Sequence, residues 1–141
     1  MADIVDQATR SRMMSGIRGS NTKLEQVVRR ALHARGLRYR LGGAGLPGRP
    51  DIVFPRFRTA VFVHGCFWHG HSCPLFRLPK TRPDFWRQKI ESNTERDSRV
   101  LLQLADLGWR TLVVWECSLR GASEDLRSRF FDKLAECIRS S

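Results

Sequence analysis

The chain has 141 residues, enough for one domain around a single modest core, and carries 25 Lys plus Arg against 14 Asp plus Glu, a net charge of +11. No apolar stretch is long enough to span a bilayer and Met1-Ala2-Asp3 begins no secretory h-region, so a membrane-spanning protein is excluded and a cytoplasmic one with reduced thiols is expected. The basic excess is uneven: residues 1–40 hold nine basic and three acidic side chains, whereas residues 121–141 hold four of each. That bias points to a polyanionic partner, because each neutralised phosphate releases condensed counterions.

Residues 1–21 are polar, include Arg10, Arg12, Met14 and Arg18, and show no sustained period. They are expected to form a basic arm, with residues 22–141 as a single domain. A helix follows, with Thr22 and Glu25 in a capping-box pattern, an apolar stripe of Leu24, Val27, Val28, Ala31 and Leu32, and Gly36 as its stop. Residues 37–41 read as a short strand and the Gly/Pro-rich stretch 42–50 as a loop. The runs 51–54 and 59–64, rich in Val, Ile and Phe and separated by only a few residues, predict an antiparallel hairpin. After a loop to Lys80, a long helix is expected from about Arg82 to Leu107, with Thr81 as N-cap and Gly108 as stop. A strand over 109–116 and an amphipathic helix over 124–138 complete an α-β-β-β-α-β-α order. A hairpin in place of pure βαβ repeats indicates an α/β fold with a mixed sheet flanked by helices.

Cys66-Phe67-Trp68-His69-Gly70-His71-Ser72-Cys73 is the densest chemistry in the chain. Zinc takes four soft or borderline donors in a tetrahedron, and a short loop can supply three of them. Cys117, just past a strand end, is the candidate fourth ligand, and the residues alone leave His69 and His71 as alternatives. Such a site, filled by protein on all sides, is structural. Cys137, on the last helix, is left as an ordinary packed thiol.

Folding the hairpin places Asp51 opposite residues 62–64, so one carboxylate meets His64 and nearby main-chain carbonyls. That is a hard-oxygen setting for magnesium. Asp97 falls in line with Ile90, Val100, Leu101 and Leu104 on the long helix, where a carboxylate has to be paired, with Arg110 as one partner to consider, or used. Phe67 and Trp68 sit inside the metal loop, where rigid apolar side chains of a basic protein could wedge between base steps. Trp86 could join them or fill core, while Trp109 and Trp115 read as core.

These segments resemble the very-short-patch-repair (Vsr) DNA mismatch endonucleases. The resemblance is carried by Ala8-Thr9-Arg10-Ser11, Leu46-Pro47-Gly48-Arg49-Pro50-Asp51, Val63-His64-Gly65-Cys66-Phe67-Trp68-His69, Glu95-Arg96-Asp97, Leu107-Gly108-Trp109-Arg110 and Val114-Trp115-Glu116-Cys117. It runs from about residue 1 to 121. It implies a restriction-endonuclease-like fold of PD-(D/E)xK type with a structural zinc site, and magnesium-dependent nicking of duplex DNA on the 5′ side of the thymine in a T:G mismatch left by 5-methylcytosine deamination. Carried over residue by residue, Asp51 and the Val63 carbonyl would bind magnesium, and Glu25 and His64 would hold its water shell. His69 would be the general base, oriented by Asp97, and Cys66, His71, Cys73 and Cys117 would bind zinc. Phe67, Trp68 and Trp86 would form an aromatic wedge, with Arg10, Arg12 and Met14 on the arm that clamps the opposite groove. Gly70 stands where some members carry another histidine, which would loosen the loop without removing a ligand. The partners implied are mismatched double-stranded DNA and possible mismatch-repair proteins, for a bacterial monomer acting at the nucleoid. A zinc-stapled DNA-binding module without catalysis would explain the charge, the cluster and the aromatics, but not why Asp51, His64, His69 and Asp97 should converge.

Overall fold

A computed structural model describes residues 23–74 and 77–140; the arm residues Arg10, Arg12 and Met14, and the cap candidate Thr22, lie outside that range. The first helix, α1, spans Lys23–Ala34. It stops as the glycine predicts: Gly36 takes φ 87°, its amide donates to His33 O at 3.0 Å, and that of Leu37 to Leu32 O at 3.1 Å. This is a Schellman closure, which needs a residue free to adopt a left-handed backbone. The expected strand at 37–41 shrinks to one antiparallel bridge between Arg40 and Val53, because the chain turns at once into a 3-10 helix, Gly42–Gly45.

Strands β1 (Ile52–Phe54) and β2 (Thr59–His64) form the predicted antiparallel hairpin, with Ile52 opposite Val61 and Phe54 opposite Thr59. The turn between them is a 3-10 helix, Pro55–Phe57, closed by Arg58 in the left-handed region. Helix α2 (Pro83–Asp106) then carries the chain to β3 (Arg110–Trp115), which pairs with β2 in parallel, so the sheet order is β1-β2-β3. The start of α2 departs from expectation. Thr81 is not the cap: Pro83, with its fixed φ and no amide to satisfy, opens the helix, and Arg82 before it is forced out of the helical region to φ 55°, ψ 54°. At the other end Gly108 (φ 83°) closes α2 by the same device as Gly36, with Trp109 N–H donating to Leu104 O at 2.9 Å. A short turn, α3 (Glu116–Leu119), leads to α4 (Glu124–Arg139), capped by Ser123 accepting from Leu126 N–H at 3.2 Å.

The alternation along the strands divides the core into two. Ile52, Phe54, Val61 and Val114 pack with Val28 and Leu32 of α1 and Phe131, Ala135 and Ile138 of α4, while Ala60 and Phe62 meet Leu104 of α2. β2 is the central strand and covered on both faces, which is why it reads as a nearly unbroken apolar run. Arg110, one candidate partner for Asp97, is engaged elsewhere. Its guanidinium donates to Cys137 O at 3.0 Å and Ile138 O at 2.8 Å, capping the end of α4, and to Thr59 Oγ1 at 2.9 Å. Cys137 itself is exposed rather than packed, because Ile138 takes the inward position of that turn. Among the described residues no helix is long and apolar enough to cross a membrane.

Candidate functional site

Parallel pairing of β2 and β3 decides where the chemistry lies. His64 stands beside Trp115 at the C-terminal ends of the two strands, so Cys66 and Cys117, each two residues further on, leave the sheet side by side. Cys66, His71, Cys73 and Cys117 there offer four ligand atoms all within 4.8 Å of one another. The Nδ1 of His71 lies 3.6 Å from Cys66 Sγ and 3.4 Å from Cys117 Sγ, and the group could hold a metal ion. Of the two histidines open to this role, His71 is the one gathered with the thiols. Burial pushes the Cys66 thiol up to about 12, against the lowering effect of a hydrogen bond with the Cys117 backbone and with smaller raising effects from the Cys73 and Cys117 thiols. Without a cation the Cys66 thiol keeps its proton, whereas a bound metal ion would displace it.

Asp51 lies just ahead of β1, and its Oδ2 accepts the Val63 amide at 2.7 Å. Burial raises its carboxyl to about 6, against the lowering effect of that hydrogen bond, and the charge of Glu25 raises it further. Glu25 is only 1% exposed, with Oε1 4.0 Å from Arg29 Nη1. Its capping-box partner Thr22 lies outside the described residues, and Glu25 is buried near enough to Asp51 for its charge to act there.

His64 and His69 stack face to face, centroids 3.7 Å apart and planes parallel. His69 Nδ1 is 2.6 Å from Asp97 Oδ2. A carboxylate can only accept, so Nδ1 carries the hydrogen, an arrangement that in a neutral ring leaves the lone pair on Nε2. His64 is 8% exposed; burial, then the adjacent His69, lower it to about 4, against a smaller raising effect from Asp97, so it stays neutral near pH 7. His64, His69 and Asp97 form a second group whose ligand atoms lie within 4.8 Å. Of the sequence-predicted residues, His64, His69 and Asp97, drawn from a strand end, a loop and a helix, are brought together, while Asp51 stands outside that group, bonded to the Val63 amide and near enough to His69 to feel its charge.

Phe67, Trp68 and Trp86 form a half-buried triad of edge-to-face rings, with centroids 5.3 to 5.7 Å apart. Asn93 of α2 ties the loop down by donating to Trp68 O at 3.0 Å. Gly70 does not loosen this loop. It takes φ 61°, and a Cβ there would sit 2.9 Å from Ile90 Cγ2, so the glycine permits a tight approach to α2. Sequence reasoning missed three contributors: Asn93, Glu116 (which accepts the Cys66 amide at 3.3 Å) and Trp115, read as core but stacked on His71 at 4.0 Å. Their signal was adjacency, since Trp115 and Glu116 immediately precede the ligand candidate Cys117.

The chain matches the family "DNA mismatch endonuclease Vsr" over residues 2–75. It is 46% identical over 138 residues to the DNA mismatch endonuclease Vsr of Escherichia coli (strain K12), covering 98% of this chain and 88% of that protein. It is 50% identical over 119 residues to the type II nicking enzyme V.XorIIP of Xanthomonas oryzae pv. oryzae (strain KACC10331 / KXO85), covering 84% and 88%. A third relative, the type II nicking enzyme V.NmeAIP of Neisseria meningitidis serogroup A / serotype 4A (strain DSM 15465 / Z2491), is 44% identical over 120 residues, covering 85% and 86%.

Proposed function

This chain belongs to the DNA mismatch endonuclease Vsr family, and on that premise we propose that it nicks duplex DNA on the 5′ side of the thymine in a T:G mismatch left by deamination of 5-methylcytosine. The sheet with its flanking helices is a restriction-endonuclease-like core of PD-(D/E)xK type, formed by residues 22–141, and residues 1–21 are its DNA-clamping arm. The observation that carries the reading is His69, hydrogen-bonded to Asp97 at 2.6 Å, stacked on His64 and close to the buried Asp51.

Asp51 and the Val63 carbonyl would hold magnesium, and Glu25 and His64 would hold its water. The fit rests on electrostatics: two carboxyl groups buried near one another are unstable as anions until a cation joins them. Bound there, magnesium supplies the charge that polarises a phosphodiester and offsets the departing 3′-oxygen. Asp97 fixes the tautomer and aim of His69, whose free Nε2 accepts a proton from the attacking water. The P–O3′ bond breaks, leaving a 3′-hydroxyl and a 5′-phosphate. His64, neutral and stacked, limits rotation of the His69 ring.

Zinc suits the thiol cluster. Zn–S bonds of about 2.3 Å and Zn–N bonds of about 2.0 Å give a tetrahedral S···N edge of about 3.5 Å, against the 3.4 and 3.6 Å found around His71. With four protein donors this site is structural. Phe67, Trp68 and Trp86 insert at the mismatch, where a weakened pair is easier to unstack, while Arg10, Arg12 and Met14 hold the opposite groove. The enzyme works as a monomer in the bacterial cytoplasm, on the nucleoid, with mismatch-repair proteins as partners.

The test uses two end-labelled duplexes with randomised flanks that differ only by T:G in place of C:G, incubated with protein and magnesium. A single nick confined to the mismatched duplex is expected. Asp51→Ala should remove it, by about three orders of magnitude or more, while leaving binding intact. Tight, salt-sensitive binding with no nick would make this a non-catalytic DNA-binding module, and cutting of both duplexes would remove the mismatch specificity.

A further inference from the structure

Trp115 ends β3 at the point where the two side-chain clusters come closest. On one side its ring stacks on His71, with centroids 4.0 Å apart and planes at 11°. On the other, it meets His64 edge-on at 5.1 Å and 76°, and His69 at 6.3 Å and 76°. Since His64 is itself stacked on His69, and His69 is bonded to Asp97, a continuous packed column runs from His71 through Trp115 to the histidine pair. The register explains the column: Trp115 is the neighbour of His64 in the parallel ladder, and alternation sends both toward the face covered by α2, which carries Asp97.

We propose that Trp115 is a positioning residue that carries the order of the Cys/His cluster into the His64–His69 pair, so that ligation of His71 holds the base in its reactive orientation. This rests on the mismatch-nicking reading only for its kinetic consequence; the coupling itself is a property of the packing. Two features favour it over simple core filling. Trp115 is only half-buried, so its bulk is not demanded by a closed core. Its ring contacts are with three imidazoles, His71, His64 and His69, the last of which bonds Asp97, and it is not among the hydrophobic residues packed against either core cluster. A planar ring can fix a neighbouring ring by its face and its edge at once, which an aliphatic side chain of equal volume cannot do.

The experiment compares Trp115→Leu and Trp115→Phe with the wild type, each loaded in the thiol cluster with one equivalent of cobalt for the absorption and of diamagnetic zinc for the NMR and kinetics. Three quantities are read: the cobalt–thiolate absorption, the ring-proton NMR signals of His64 and His69, and the single-turnover nicking rate with its KM. Trp115→Leu should keep the cobalt spectrum, broaden the His64 and His69 signals, and lower the nicking rate by about 10- to 100-fold with KM within about twofold, the range seen when residues behind a reactive group are removed. Trp115→Phe, which keeps a ring, should recover most of both. In a His69→Ala background, Trp115→Leu should cause no further loss, because the two changes act on one group. Unchanged histidine signals in Trp115→Leu would overturn the proposal, as would a rate loss that simply tracks loss of the cobalt spectrum. If no variant nicks DNA but the histidine signals still respond, the coupling stands and the functional reading fails. Should Trp115→Leu not fold, Trp115→His, a smaller ring, takes its place with the same criteria.

Discussion

Two clusters share one edge of the sheet, and they are built on opposite terms. Cys66, His71, Cys73 and Cys117 bring three thiols and an imidazole from two chain segments, a saturated set of soft donors. Asp51, Glu25, His64, His69 and Asp97 come from several elements and offer oxygens and imidazoles with positions to spare. Burial raises the lead group of each toward its neutral form, with Cys66 pushed up to about 12 and Asp51 to about 6. The difference lies in how far from neutrality each sits. A thiol at 12 is ionised only by a tightly bound ion, which then stays. A carboxyl at 6 changes state close to working pH, so its affinity for a cation would follow pH. On the proposed reading, one end of the sheet thus carries a lasting zinc staple and an exchangeable magnesium site.

The largest expected effect breaks the staple. Cys66→Ser, or exhaustive chelation, should release the metal and destabilise the fold by about 3 kcal/mol or more, roughly 10 °C in Tm, read by calorimetry alongside metal analysis. A protein that lost its metal without losing stability would show the cluster to be exchangeable too. Next, Asp97→Asn should lower kcat by about 100-fold with little change in Tm, because an amide can donate to His69 Nδ1 and so trap the wrong tautomer. An equal loss of stability would instead assign Asp97 to the core.

The smallest effect sharpens the exchangeable side. A raised Asp51 carboxyl favours the protonated form in the ion-free fold up to about pH 6, and only its anion takes magnesium. Magnesium should therefore raise Tm above about pH 6 and progressively less below it, and the acid limb of nicking should move to lower pH as magnesium is increased. In the ion-free fold the raised Asp51 carboxyl costs stability as pH rises from 3.8 to about 6, whereas His64 acts in the opposite sense, since its folded value near 4 lies below the usual 6.5 and stability is lost as pH falls between the two. Comparing Tm with and without magnesium at each pH separates the two contributions.

Local rules made much of the fold legible. The glycines at 36 and 108, the hairpin runs and the last helix lie close to where composition and period put them, because caps and alternation act over a few residues. The cap of α2 was missed, since Pro83 rather than Thr81 sets its start, and Cys137 turned outward because one inward position per turn was already filled by Ile138.

The sequence by itself determined that a dense Cys/His loop exists, that one carboxylate follows a proline at a strand start, and that another lies on the inward stripe of a long helix. Residue types and spacing suffice for that, because each is a property of a contiguous segment. Tertiary structure alone decided that β3 runs parallel to β2. That single pairing joins Cys117 to Cys66, assigns His71 to the thiols and leaves His69 to Asp97. It also sets Trp115 between the two clusters. These choices depend on contacts between segments up to some fifty residues apart in the chain, and no local propensity encodes which of two neighbouring histidines a distant strand will meet.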